Sequence, residues 1–207
     1  MNTEEVNEFD PISALKSLQA DSRYQSQLDW GRPRSGHPEG TIRAHIEELE
    51  HNLSRLSPRL SSREIDRIRL LIHVHDTFKA EARPGVAISD PHSHASLARA
   101  FLAEYFPDPD LLAMVQYHDE PYALWNRTRG GRTCDSVRLN HLLTAIADHD
   151  LFGAFLLVDG CTRGKSAESL RWWFKTTGKL TRSRFGVADV DWLKHEKGNI
   201  IEKVWLN

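Results

Sequence analysis

Apolar residues recur at the spacing of one helix face along several stretches of the chain. Over residues 41–56 they follow the i, i+3, i+4, i+7 pattern without a break, which predicts an amphipathic α-helix. His45 lies on the inward face of that helix. A second run covers residues 62–79, and His75 and Asp76 continue its inward face. The pattern therefore predicts two helices that each carry polar residues into the core.

Two further predicted helices also place a histidine on the inward face near one end. A helix over residues 91–105 has His94 in its first turn, in line with its apolar residues. The apolar stripe that starts at Leu111 closes with His118. Proline and glycine separate these runs, as is typical of loops between helices, and no stretch shows the alternation of a half-buried strand. The sequence therefore predicts an all-α fold.

The longest helical pattern covers residues 137–158 and has Asp148 and Asp159 in line with its apolar positions. The two aspartates are 11 residues apart in the sequence. At 1.5 Å per residue this is roughly 16 Å along one helix, which is too far for both to bind one ion. Asp148 and Asp159 are therefore alternatives for a single inward position.

The inward polar residues need a partner if their helices meet in one core. Taken alone, each is more often a satisfied core or helix-end residue than a ligand. An unsatisfied buried polar group costs roughly 2–7 kcal/mol, so several of them together require a shared partner. Neutral imidazole nitrogen and carboxylate oxygen are ordinary ligands of divalent first-row cations. The sequence therefore predicts a metal site formed by His45, His75, Asp76, His94 and His118.

Composition excludes several other classes of function. With 27 basic and 29 acidic residues the formal net charge is -2, which gives no support to a nucleic-acid or membrane-surface role. Cys134 and Cys161 are the only cysteines, so no disulfide framework is expected. The acidic N-terminus has no apolar core of the signal-peptide type, and no apolar run approaches the roughly 20 residues of a membrane span. We expect a cytoplasmic protein.

The order of these residues resembles the HD-domain metalloproteins, over about residues 36–165. That family has a His on one helix, a His-Asp pair on the next, often further histidines, and an Asp on a later helix. The resemblance implies a helical bundle with a metal-binding core over 36–165, an N-terminal extension with a short helix over 1–35, and a C-terminal helical segment over 166–207 that packs on the core. The residues that correspond to the family's ligands are His45, His75, Asp76, His94, His118 and Asp159.

The last ligand has two candidates within the resemblance. The segment 155–159, Phe-Leu-Leu-Val-Asp, resembles the final-ligand segment of myo-inositol oxygenase, whereas Asp148 resembles the corresponding position in the cyclic-dinucleotide phosphodiesterases. We favour Asp159. The chain departs from the phosphodiesterases at Phe78, where they usually have Gly, and at Asp119, where a second His would follow His118. Hydrolysis of cyclic dinucleotides is therefore not expected.

The resemblance implies metal-dependent hydrolysis of a phosphate ester, either a small phosphorylated metabolite or a nucleotide. Two divalent ions (iron, manganese, cobalt, nickel, zinc or magnesium) would be bridged by Asp76, a catalytic residue, and would lower the pKa of a water from about 15.7 toward about 7. Lys79, which family members that hydrolyse phosphate esters often share, is the second catalytic candidate and would neutralise phosphoryl charge. Arg163 and Lys165 are candidate substrate contacts.

Two other functions stay open at this point. Di-iron members of the family cleave carbon–carbon or carbon–phosphorus bonds in polyols or phosphonates with the same ligand set, and the segments 114–118 and 155–162 resemble that branch, whereas Lys79 favours hydrolysis. A non-catalytic metal-binding or sensor protein is the second alternative. The expected partner is a small-molecule substrate, with no nucleic acid or membrane. The aromatic C-terminal segment could serve a contact between copies of the chain in a homo-oligomer.

Overall fold

The computed structural model describes the backbone of residues 10–201 and the side chains of residues 10–195. Within that range the regular structure is helical, and β structure is limited to two isolated bridges in the loop over residues 31–41. The predicted all-α class is confirmed. The helices are α1 (Pro11–Ala20), α2 (Ser22–Gln27), α3 (Ile42–Leu56), α4 (Ser62–Val74), α5 (His94–Tyr105), α6 (Pro109–Tyr117), α7 (Glu120–Thr128), α8 (Ser136–Ala145), α9 (His149–Gly160), α10 (Glu168–Thr181) and α11 (Val187–Ile201).

The predicted starts of α3 and α4 coincide with side-chain caps. The Thr41 hydroxyl accepts a hydrogen bond from the backbone N–H of Ala44. Ser61 and Glu64 form a reciprocal capping box at the start of α4. Such caps satisfy backbone N–H groups that have no partner inside the helix. Residues 41–56 and 62 onward therefore fold as the apolar pattern predicts.

The predicted helix over 62–79 ends earlier than expected, at Val74. His75 is its C-cap, Asp76 follows in a turn, and a 3₁₀ turn over Thr77–Ala80 contains a kink at Phe78. In a continuous α-helix, neighbouring residues point about 100° apart. Both residues follow directly after Val74, the last residue of α4, and both reach one site.

The predicted continuous helix over 137–158 is wrong, because the chain breaks into α8 and α9, which are bent by 108°. Asp110 stabilises the break, since its carboxylate accepts hydrogen bonds from the backbone N–H groups of Ala147 and Asp148. The Asp148 side chain caps α9 by accepting from the N–H of Leu151. Asp148 therefore serves the start of α9 rather than a ligand cluster.

Helix α9 lies at the centre of the bundle, and every residue from Leu151 to Val158 is buried. Helices α3, α4 and α10 pack against it, and α5 pairs with α6 beside α4. Leu18 of α1 and Leu193 of α11 belong to the same apolar core. The described parts of the segments 1–35 and 166–207 thus pack on the core, whereas residues 1–9 and 202–207 lie outside the described residues.

None of the described helices is, by itself, long and apolar enough to cross a membrane. Taken together, the bent pair α8 and α9 has the length and apolar composition of a membrane span.

Candidate metal centre

The helices bring the six residues of the predicted ligand set to one place beside α9. Each lies at a helix end or within one turn of it. These ends meet because α3, α4, α6 and α9 pack around a shared apolar core. The candidate metal centre consists of His45 at the start of α3, His75 and Asp76 after α4, His94 at the start of α5, His118 after α6 and Asp159 at the end of α9.

Four side chains form the first half of this centre. Nε2 of His45 lies 3.2 Å from Oδ1 of Asp159 and 3.8 Å from Oδ2 of Asp76. Nε2 of His75 lies 3.7 Å and 3.6 Å from the same two oxygens. Ligands about 2.0–2.2 Å from one cation, at angles of about 90–110°, are about 3–3.5 Å apart. These distances fit a single ion after small side-chain movements.

The other oxygen of Asp76 belongs to the second half. Oδ1 of Asp76 lies 3.4 Å from Nε2 of His118 and 3.8 Å from Nε2 of His94. The two imidazole Nε2 atoms are 3.3 Å apart. Asp76 thus presents one oxygen to each half, as a bridging carboxylate does.

Backbone carbonyls fix two of the imidazole rings. Nδ1 of His75 lies 3.0 Å from the carbonyl oxygen of Leu71, and Nδ1 of His118 lies 2.8 Å from that of Val115. Because a carbonyl oxygen only accepts, Nδ1 is the protonated nitrogen in both rings. In both rings Nε2 is the nitrogen that faces the centre.

Some buried polar atoms in the centre have no hydrogen-bond partner among the described residues. His75 is 1 % exposed and Asp76 is 5 % exposed. Within the part of the chain that the structure describes, neither Nε2 of His75 nor Oδ1 of Asp76 has a hydrogen-bond partner. Both atoms are types that divalent first-row cations bind. The buried His/Asp cluster could therefore hold a metal ion.

Two lysines pair with carboxylates of the centre and offset their negative charge. Lys79 donates a hydrogen bond to Oδ2 of Asp76, and Nζ of Lys165 donates to Oδ1 of Asp159 at 2.7 Å. Burial raises the pKa of Asp76, but the charge of Lys79 holds it well below its usual range. Burial likewise opposes the effect of Lys165 on Asp159, whose pKa is also well below the usual value. Both carboxylates are ionised at neutral pH.

The pKa values of His75 and His118 shift in opposite directions. Burial lowers the pKa of His75, and the neighbouring carboxylates do not fully reverse this. Burial also lowers the pKa of His118, but the charges of Asp119 and Asp76 outweigh it and raise the pKa to about 9. In the first half, hydrogen bonds with Asp159 and Glu39 likewise raise the pKa of His45 despite its burial.

Two acidic residues reach the centre although the sequence did not mark them as ligands. Oδ2 of Asp119 lies 3.4 Å from Nε2 of His94. Oε1 of Glu39 lies 3.1 Å from Nδ1 of His45. The position of Asp119 directly after His118 was a signal, whereas Glu39 lies in a loop rich in proline and glycine whose path no periodicity reveals.

A cleft of about 590 Å³ opens onto the centre. It is lined by carboxylates of the candidate metal centre together with both lysines, and α7 contributes Tyr122 and Trp125. Solvent and a small molecule can therefore reach the candidate ligands. Its polar lining residues include Asp76, Lys79, His118, Asp119, Asp159 and Lys165.

Some candidates from the sequence lie elsewhere. Arg163, a predicted substrate contact, has a side chain that is 68 % exposed and pairs with Glu48, and it does not line the cleft. Asp148, the alternative last ligand, caps α9 at the end opposite Asp159. Of the two predicted substrate contacts, the structure brings only Lys165 to the cleft.

Comparison of the chain with protein-family models, with curated proteins and with solved structures finds no match in any of the three. The geometry of the site therefore carries the functional argument.

Proposed function

We propose that this protein is a metal-dependent phosphohydrolase with a binuclear site of the HD type. One observation carries the proposal. Two groups of candidate metal ligands share Asp76, and the ammonium groups of Lys79 and Lys165 line the same cleft. Ligand clusters bind cations, and ammonium groups beside them favour an anionic substrate. A phosphate ester satisfies both requirements.

The chain's own residues would hold two divalent ions. When bound, such a pair supplies Lewis-acid activation of a phosphoryl oxygen and a water that ionises near neutral pH. His45, His75 and Asp159 would hold one ion, His94 and His118 the other, and Asp76 both.

Lys79 and Lys165 would bind and orient the substrate. Their ammonium groups lie beside Asp76 and Asp159, at the boundary between the centre and the cleft. Because the Lys165 side chain is only 23 % exposed, its charge is screened less by water than a surface charge would be. Lys165 stays protonated, since Asp159 and Asp76 raise its pKa more than burial lowers it. Both groups would neutralise charge on the phosphoryl group.

The cleft sets the size of the substrate. Its volume lies within the range of about 300–1,000 Å³ that is usual for small-molecule sites. The aromatic side chains of Tyr122 and Trp125 provide an apolar wall for the organic part of the ester. The substrate class is therefore a small phosphorylated metabolite or nucleotide.

The test combines metal analysis with phosphate release. We expect the purified or reconstituted protein to contain about two transition-metal equivalents and to release phosphate from monoesters such as para-nitrophenyl phosphate and nucleoside monophosphates. Lys165→Met should reduce kcat/KM by at least about tenfold, because a charge-assisted contact contributes roughly 1.5–3 kcal/mol. The matched control is Lys179→Met, at an exposed position on α10. A metal-loaded protein that releases no phosphate from any monoester would contradict the proposal.

A di-iron oxygenase is the second candidate. His94, His118 and one carboxylate oxygen of Asp76 match the two-histidine, one-carboxylate set that is typical of non-haem iron oxygenases. The two functions differ in their need for oxygen. Phosphate release that continues under strict anaerobiosis indicates hydrolysis, whereas turnover that consumes oxygen and stops without it, in the iron-loaded protein, indicates the oxygenase.

A further inference from the structure

We propose that Asp119 is a fourth protein ligand of the second ion, alongside His94, His118 and Asp76. The inference rests on the proposed binuclear site and adds to it a carboxylate that the resemblance to HD-domain proteins does not supply. Its ligand class is a divalent cation.

The distances between carboxylate oxygens and imidazole nitrogens are similar in the two halves of the centre. Oδ2 of Asp119 lies 3.4 Å and 3.6 Å from Nε2 of His94 and His118. In the first half, Oδ1 of Asp159 lies 3.2 Å and 3.7 Å from the two corresponding imidazole nitrogens. Each half then has two imidazoles, one carboxylate of its own and one oxygen of Asp76.

The Asp119 side chain does not cap the helix at whose start it lies. It occupies the N-cap position of α7, where an aspartate commonly accepts hydrogen bonds from the first backbone N–H groups. The Asp119 side chain makes no such hydrogen bond. It is 53 % exposed and lines the cleft, so it does not contribute to the core either. Its carboxylate is directed to the two imidazoles instead.

A second observation points to a cation at the same place. Oδ1 of Asp76 is buried and, among the residues that the structure describes, has no hydrogen-bond partner. It lies beside the same two imidazoles as Asp119. Two carboxylate oxygens and two imidazole nitrogens converge in this way, and all four are atom types that a divalent cation binds.

The ligand role predicts which ion depends on Asp119. Removal of its charge should weaken binding of the second ion and leave the first ion unchanged, because His45, His75 and Asp159 are intact. Loss of a hydrogen-bonding partner of a metal ligand typically costs about 10–100-fold in affinity. Loss of the ligand itself should reach the upper end of that range, about 100-fold.

The experiment is a titration of the apoprotein with Mn²⁺ alone, with free Mn²⁺ followed by electron paramagnetic resonance. We expect two bound ions for the wild type and for the exposed-site control Asp29→Asn. Asp119→Asn should bind one ion with unchanged affinity and the other about 100-fold more weakly. Asp119→His, which again supplies a ligand, should restore most of the loss. In His94→Ala, where the same ion is weakened, adding Asp119→Asn should cause less than its full effect.

Several outcomes would overturn the inference. If Asp119→Asn binds both ions as the wild type does, Asp119 is not a ligand. If it weakens both ions equally, its effect is a general one of charge. Thermal unfolding of each apoprotein checks the fold, and Asp119→Ala carries the comparison if Asp119→Asn is unfolded: selective loss of the second ion supports the ligand role, and wild-type-like binding of two ions contradicts it. A wild type that binds no Mn²⁺ or any other divalent ion would contradict the binuclear site itself, which separates that failure from this one.

Discussion

Oε1 of Glu39 lies 3.1 Å from Nδ1 of His45 and 2.9 Å from Nδ1 of His37. Glu39 therefore contacts His45 on the side of the ring opposite Nε2, the atom that faces the candidate metal centre. The Glu39 side chain is only 3 % exposed. Carboxylates in this position orient a ligating imidazole and increase its basicity.

The backbone of the loop over residues 31–41 holds Glu39 in place. Gly31 and Thr41 form an isolated antiparallel bridge that closes the loop. Gly31 has a φ of +114°, and a Cβ there would lie 2.3 Å from the carbonyl oxygen of Gly40. Only glycine fits at that approach. The loop is therefore a defined structure that places Glu39 beside α3.

Glu39→Gln should weaken binding of the first ion by about 10–100-fold and leave the second unchanged. The substitution keeps the size of the side chain but removes the charge that supports His45. Isothermal titration of the apoprotein with Mn²⁺ measures both affinities. The matched control is Glu47→Gln, on the exposed side of α3. Equal affinities in Glu39→Gln and in the control would show that Glu39 does not support the ligand.

The apolar pattern was sufficient to predict the residues that lie on regular helix faces. His45 is buried on α3 as predicted, and His118 is buried at the end of α6. Burial of such residues follows from the helical period, because one side of each helix must face the core. The fold class and the meeting of these side chains could therefore be predicted without coordinates.

The pattern could not predict features that depend on contacts between distant residues. The break between α8 and α9 depends on Asp110, a residue of α6 whose carboxylate binds the backbone at Ala147. No local signal identifies that contact, so the helical pattern continues across the break. The pattern also failed to predict that Glu39 and Asp119 contact the centre, for a related reason. Both lie outside helix interiors, where direction is set by loop geometry rather than by the helical period.

Asp76→Asn should reduce the metal content from about two equivalents to less than one. Asp76 offers Oδ2 to the first half of the centre and Oδ1 to the second, so its loss affects both ions. His94→Ala removes a ligand of the second half only and should leave about one equivalent. Elemental mass spectrometry of the purified variants, normalised to protein, measures both. Retention of two equivalents by Asp76→Asn would exclude a shared carboxylate.

Asp159→Ala and Asp148→Ala should have opposite effects. Asp159 faces His45 at 3.2 Å, so its loss should remove the first ion. Asp148 caps α9, and its loss should leave metal content unchanged but reduce the free energy of unfolding by about 0.5–2 kcal/mol, the usual range for a lost N-cap. Urea denaturation and metal analysis of both variants measure the two effects. Loss of metal from Asp148→Ala with Asp159→Ala unaffected would reverse the assignment of the last ligand.

Glu64→Gln should destabilise the protein at neutral pH but not in acid. Burial raises the pKa of Glu64, but hydrogen bonds from Ser61 and the pairing with Arg184 lower it more, so the folded-state pKa lies below the ordinary value. A group with a lowered folded-state pKa stabilises the fold above its unfolded-state pKa, about 4.3 for glutamate, and this contribution is lost as the pH falls through the folded-state value. At pH 7 we expect a difference of about 0.3–1 kcal/mol in the free energy of unfolding, typical of a carboxylate in the first helical turn. Urea denaturation of the apoproteins at several pH values between neutral and acid measures it, with Glu47→Gln as the exposed control. A difference that grows as the pH falls would contradict the role of the Glu64 charge at the start of α4.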